Sequence, residues 1–316
     1  MQGYSLSGYI NTVLRRSGKT LLTEGVSDRT IINRLKLDKE EERQISSKGV
    51  VDCVQIITGT ELHGLGNKAR IGAIRSAIEA LTSPTKELVL AKFGSLTDRE
   101  WDGIPLNNGV PNQWTPPTQG PGSFTTIGHS IENYFFSISS AAAYLKQSYP
   151  DEISAEFLRD LGSRFHKMVA LATAYSLELK AASALGRSDG AICEKRVSWS
   201  GNRYQLDQSL VQVLSHRGLQ LPVNFVPSVN SGADTYLAAF QTAEPGRWLC
   251  HGHLGEQAIW ACIGNLAEEH NVTADVANAI AKGSREGKLK HAANHLCVVP
   301  VGERQPLDDA IAWIQS

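Results

Sequence analysis

The 316 residues contain no CxxC pair, no internal repeat, no low-complexity tract and no surplus of either charge sign. Each absence narrows the field. The five cysteines, Cys53, Cys193, Cys250, Cys262 and Cys297, are widely spaced and odd in number, which points to reduced thiols in a cytoplasmic protein and not to a disulfide scaffold. A formal net charge of -1 excludes a globally basic nucleic-acid binder, although a local basic groove satisfies an enzyme that works on nucleic acid. No continuous apolar segment follows Met1-Gln2-Gly3-Tyr4-Ser5, so no secretory leader is expected. The most apolar helical stretch, Met168 to Leu185, carries Glu178 and Lys180, and no membrane span is expected. Hydrophobic residues at 41% are enough for a substantial core in one large or two medium domains.

What is present begins with Gly18-Lys19-Thr20-Leu21-Leu22-Thr23-Glu24-Gly25-Val26-Ser27-Asp28. Leu21 and Leu22 suit a short buried strand, Glu24-Gly25 breaks it, and Ser27 reads as the N-cap of an amphipathic helix over 29–37. Glu24 thus stands at a strand tip and Asp28 in the first turn of the next helix. Open α/β sheets collect ligands outside the carboxyl ends of their strands. An acid there is a metal ligand, a general base or a helix cap.

Strand and helix signals then alternate. Strands are expected over 50–57, 87–94 and 123–127, with a Gly-rich turn at 64–68 and a helix over 69–81. That βαβαβ order predicts an α/β fold, a parallel sheet flanked by helices, in a domain covering 1–140. A loop rich in Pro, Gly and Asn spans 104–122. From 141 to 316 the texture predicts an α-helical region: 141–147, 155–185 and 205–214, a linker punctuated by Pro222, Pro227 and Gly232, then 233–240, 254–270, 274–283 and 308–314.

Three acidic clusters follow three successive strand signals: Glu24 with Asp28, Asp98 with Glu100, and Glu132 with Ser130. Parallel strands deliver their tips to one edge, where several carboxylates repel one another unless cations neutralise them. Oxygen-rich sites of that kind suit Mg²⁺ or Mn²⁺, and a pair of such ions serves in-line phosphoryl transfer. The alternative is that each acid is separately a cap or a surface charge.

Glu24-Gly25-x-x-Asp28 followed by Asp98-x-Glu100 resembles a Toprim domain, and the added Ser130-Ile131-Glu132 is most similar to the DUF4435 group and its OLD-family nuclease relatives. Among these, the length and the Glu24 motif look most like the nuclease subunits of PARIS-type anti-phage systems. The likeness covers roughly 15–140 and is reinforced by Gly66-Asn67-Lys68. It implies a Toprim-like fold and a Mg²⁺-dependent endonuclease, a toxic effector cutting RNA, with tRNA the leading substrate. It also implies an ABC-type ATPase partner. A homodimer is the general expectation for a compact nuclease. Carried over by position, Glu24 is general acid/base and ligand, Asp28 shares its metal, and Asp98 and Glu100 hold the other with Ser130 and Glu132. Glutamate at position 100 is one methylene longer than the usual aspartate, and Asp102 nearby competes with it. Where relatives carry Gly-Lys this chain reads Gly252-His253, so His253 is the candidate for offsetting phosphate charge. The same sequence admits a DNA-cleaving nuclease or a non-catalytic subunit of an ATPase complex.

Other residues carry two readings each. Cys250, His251, His253, His291, His295 and Cys297 are either a zinc set or ordinary packed side chains. Lys282, Arg285, Lys288 and Lys290 either track a phosphate backbone or form a solvated helix face. Trp199 and Tyr204, near Lys195, Arg196 and Arg203, either stack on a base or sit in a β-hairpin. His129 either orients a water or caps a strand.

Overall fold

The computed structural model describes residues 3–106, 116–240, 243–283, 285–300 and 302–316, so 107–115 of the expected 104–122 loop lie outside the described residues. Helix α1 (Leu6–Arg15) is capped by Ser5, whose hydroxyl accepts the Gly8 N–H. Strand β1 (Thr20–Thr23) leads into α2 (Val26–Arg43), and β2 (Val50–Cys53) into α3 (Asn67–Glu79). A short α4 (Thr85–Leu90) precedes β3 (Phe93–Thr97), and β4 (Ser123–Thr125) closes the α/β part. Helices α5 (Ile138–Ser148) and α6 (Ala155–Ala181) follow, then a hairpin of β5 (Val197–Ser200) and β6 (Arg203–Leu206). The chain ends with α7 (Ser209–His216), α8 (Phe225–Ala239), α9 (Ala243–Leu249), α10 (Gly252–Glu269), α11 (Ala274–Lys282), α12 (Arg285–Val298) and α13 (Leu307–Gln315). No helix is long and apolar enough among the described residues to cross a membrane.

The fold is α/β, as the strand–helix alternation implies: a parallel sheet in the order β2-β1-β3-β4, with a predominantly helical C-terminal region. Thr20 pairs with Val50 on one side and Phe93 on the other, and Ser95 pairs with Ser123.

Five local expectations change. The strand expected over 50–57 stops at Cys53, and Val54–Ile56 forms a 3₁₀ turn. The N-cap of α2 is Gly25, not Ser27: the Gly25 N–H donates to Asp28 Oδ2 at 2.8 Å, so the carboxylate closes the first turn. The run 87–94 is not one strand, because its apolar half, Leu88-Val89-Leu90, completes α4 and the strand starts only at Phe93. Gln205 lies in β6, paired with Ser198 across a Gly201-Asn202 turn whose two residues both have positive φ, so the helix expected over 205–214 begins at Ser209. Pro227 and Gly232 are inside α8. Pro227 occupies the first turn, where no N–H is required, and Gly232 lets the helix approach Ala174 of α6, a Cβ there standing 3.3 Å away.

The chain forms two compact units, and the division is not a single cut at residue 140. One holds residues 1–99, 116–127 and 293–316, the other 100–115 and 128–292. In the first, β1 is buried at every position and needs cover on both faces. Leu22 joins a core with Tyr9 and Val13 of α1 and Ile71, Ile74 and Ile78 of α3. Helix α13 packs against β1 and α2, and a Cβ on Gly94 would stand 2.7 Å from the Trp313 ring. That close seat makes glycine the residue that fits beneath the indole. The second unit packs around α6 and α10, with α8, α11 and the hairpin against them.

Candidate functional site

Of the predicted site residues, Glu24, Asp28 and Asp98 belong to the first unit, and Glu100, Ser130, Glu132 and His253 to the second. Within the first, Glu24 follows β1 directly and its Oε1 accepts the Asp98 N–H, at 2.8 Å, from just beyond β3. Adjacent parallel strands therefore tie their tips together through one carboxylate. Asp28 is buried and caps α2. Lys68, second residue of α3, donates to the Arg99 carbonyl at 3.0 Å, bringing an ammonium to the same strand end. Arg99 is itself buried and held by two neighbours: its N–H donates to Thr126 Oγ1 at 2.9 Å and its guanidinium to the Ile127 carbonyl at 3.2 Å. Sequence reading singled out neither Arg99 nor Thr126, because neither role has a local signature.

The donor chemistry of Glu24, Asp28 and Asp98 is all carboxylate oxygen, which fits a hard cation such as Mg²⁺ or Mn²⁺. One feature of the geometry restrains that fit: Asp28 already closes a helix turn with one of its oxygens. Among the described residues, no three His, Cys, Asp or Glu side chains are gathered as a cation shell.

In the second unit, Ser130 is the N-cap of a 3₁₀ turn over Ile131–Phe135, and its own N–H donates to Asn133 Oδ1 at 2.7 Å. Asn133 in turn donates to the Cys250 carbonyl at 2.9 Å, fixing this turn against the entry to α10. Glu132 is buried, with Oε1 3.1 Å from His253 Nδ1. Burial opposes its charge, but the hydrogen bond and charge of His253, the Ser130 hydroxyl and the Glu132 backbone amide hold the carboxyl below the usual carboxylate range. Gly252 makes the arrangement possible. A Cβ on it would collide with Ser130 Oγ and stand 2.9 Å from Glu132 Oε2. Glu132 thus lies beside the first residue of an eighteen-residue helix, where a negative charge is favoured.

His251 caps that helix with Nδ1 toward the Leu254 N–H at 3.5 Å. Burial, then the nearby charge of His253, lowers its pKa to about 4, with Glu132 and Asp189 pulling weakly the other way. His251 is therefore a neutral acceptor near pH 7. Its ring meets that of His129 at 4.3 Å, and His129 meets Trp101 edge-on, also at 4.3 Å. The His129 carbonyl accepts the N–H of Glu100, an exposed residue held at φ 57°. Asp102 is exposed as well, and the negative charges of Asp102 and Glu100 partly offset the lowering that burial imposes on the Lys180 amine. Lys180 Nζ sits 4.4 Å above the Trp101 ring.

The remaining candidates resolve into separate settings. Cys250 is buried beside Ser176, and burial pushes its thiol up to about 12, far from the thiolate that zinc requires. His291 meets the Tyr144 ring at 5.7 Å, and Cys297 Sγ approaches the Ala293 carbonyl. Trp199 lies in the hairpin with Arg164 at 4.3 Å and Lys167 at 5.0 Å from its ring, so cations of α6 already occupy its stacking surface. Lys288 is buried and donates to the carbonyls of Ile280 and Ala281 at the end of α11.

A cavity of about 340 Å³ opens beside His253, walled by Glu256, Gln257 and Trp260 of α10, by Asp189 to Cys193, and by Lys282 and Lys288. The spacing of 253, 256, 257 and 260 is that of one helix face, a signal available in the sequence as a polar and aromatic stripe. No protein-family model matches this chain and no curated protein matches it, so its chemistry is read from these two clusters themselves.

Proposed function

We propose that the protein is a Mg²⁺-dependent Toprim-type nuclease that cuts RNA, with tRNA the leading substrate. In this reading it is a toxic effector of anti-phage defence, controlled by an ABC-type ATPase subunit and active as a homodimer. The observation that carries the catalytic part is the tie between Glu24 and Asp98 at the tips of neighbouring parallel strands, with Asp28 opening the next helix. Strand tips of a parallel sheet are where substrates collect. A divalent cation held by these carboxylates would supply charge for the phosphate and make an attacking oxygen more acidic. Glu24 would take a proton from the attacking oxygen, and the backbone amide of Asp98 keeps its carboxylate aimed. Lys68 brings a positive charge to the same strand end, where it favours a phosphate. In the second unit Glu132 orients His253, whose ring suits contact with a nucleic-acid backbone. The cytoplasm is the proposed location.

The test is to express wild type and Glu24→Ala and run total RNA and DNA from each on gels. We expect growth arrest and discrete RNA fragments from the wild type. The variant should lose about 10²–10⁴-fold of the cleavage rate, the usual worth of a general base. DNA breakage alone would move the substrate to DNA. A second reading, a non-catalytic regulatory subunit, is favoured by the use of Asp28 as a helix cap. It takes over if neither nucleic acid changes when the ATPase partner is co-expressed and triggered.

A further inference from the structure

The cavity on the α10 face shares only His253 with the proposed chemistry, and its other walls have the makings of a recognition site. It lies wholly within the second unit, and its volume of about 340 Å³ is in the range of pockets that hold one small molecule. Its polar groups are sorted. Lys282 and Lys288 supply positive charge on the α11 and α12 side, whereas Asp189 and Glu256 supply carboxylate acceptors. The Trp260 ring on this wall already carries Lys288 Nζ 4.1 Å from its centroid. Gln257 is held in place by its neighbours: its Oε1 accepts the Gly190 N–H at 2.8 Å and its Nε2 donates to Asp189 Oδ1. An amide has two N–H donors and a carboxylate two oxygens, so this pair still offers one donor beside one acceptor.

We propose that this cavity binds one nucleotide, phosphate toward the exposed Lys282 and base edge toward Gln257, Asp189 and Glu256. A fixed donor–acceptor pair reads a base edge as glutamine does elsewhere. Carboxylate acceptors favour the base with most edge N–H donors. Guanine therefore ranks first and uracil last. The nucleotide has two possible sources: a free mononucleotide acting as a regulator, or a nucleotide of the bound strand, the second of which rests on the nuclease reading above.

The test uses the full chain with Glu24→Ala, so that cleavage does not disturb binding. It is titrated calorimetrically with GMP, AMP, CMP and UMP, and with single-stranded RNA trimers carrying each base centrally. Two substitutions probe the walls, Gln257→Leu for the base edge and Lys282→Ala for the phosphate, each checked for an unchanged thermal melt. We expect GMP or the guanine trimer to bind about tenfold tighter than its uracil counterpart, and each substitution to weaken it about tenfold, the loss of one charge-assisted or buried hydrogen bond. Tighter binding of the monomer assigns the regulatory source, and tighter binding of the trimer assigns the strand. Absence of binding in both series, or binding that both variants leave unchanged, overturns the proposal. Binding without cleavage by wild type would sink the nuclease reading and spare this one; cleavage without binding would do the reverse.

Discussion

Two turns, one in each unit, solve the same problem with opposite results for the acid they carry. At Gly25 the residue three positions on, Asp28, accepts the cap N–H; at Ser130 the residue three positions on, Asn133, does so. In the first turn the neighbouring Glu24 is only half-buried and holds a backbone amide across two strands. In the second, Glu132 is buried against a histidine, a hydroxyl and a helix start. A half-buried carboxylate with an amide partner keeps its reach toward a ligand. A buried one paired with a partly exposed histidine acts through that partner, here His253. Under the proposed chemistry Glu24 would react and Glu132 would position His253.

The largest effect that sharpens this contrast is acid sensitivity. His251 is lowered from 6.5 to about 4 by burial and the His253 charge, so the folded state keeps it neutral while the unfolded chain protonates it. For a base with a depressed folded pKa, this contribution to stability is full above pH 6.5 and falls as pH drops toward 4, by about 3 kcal/mol in total. The Glu132 carboxyl, depressed below its ordinary 4.5, adds its own loss only below that pH. His251→Asn retains a capping oxygen and removes the titration. Melting temperatures of the variant should therefore be flatter than wild type between pH 6.5 and 4.5. Parallel curves would show that His251 does not titrate with folding.

Next in size is Gly252→Ala. Its methyl would overlap Ser130 Oγ and crowd Glu132 Oε2, and overpacking of this kind costs about 1–3 kcal/mol. A lowered melting temperature, with the His253 ring signal shifted in a proton spectrum, is the expected outcome. An unchanged melt would mean that the turn gives way freely and does not hold Glu132 in place.

How much of this was legible depends on how local each cause is. The strands at Leu21-Leu22 and Phe124 are short buried runs bounded by breakers, and they read correctly. Leu88-Val89-Leu90 is equally apolar but helical, because period alone cannot separate a buried strand from a short helix. Pro227 reads as a linker only if its place in the helix is unknown; in the first turn it costs nothing. Glu24, Asp98 and Glu132 were visible as acids after strands. The depressed His251 comes first from burial, which the sequence does not show, and then from His253 two positions on. The need for glycine at 252 comes from Ser130 and Glu132, more than a hundred residues away, and leaves no local trace. The same holds for α13, whose Trp313 seat on Gly94 places the C-terminus in the sheet unit.

The smallest effect is the most discriminating for the first turn. Asp28→Ala removes the acceptor of the Gly25 N–H and should cost about 1 kcal/mol, the usual loss of a cap. Asp28→Asn keeps an oxygen in the same place, so its melting temperature should match wild type. The two roles of Asp28 then part. If the side chain only closes the helix, the asparagine variant should match wild type in the proposed RNA cleavage. If the carboxylate also holds a cation, a neutral amide is a poorer ligand, and the Mg²⁺ concentration for half-maximal cleavage rises at unchanged stability. A rise in that requirement, with no fall in the melting temperature, would make the charge of Asp28 functional and its hydrogen bond structural.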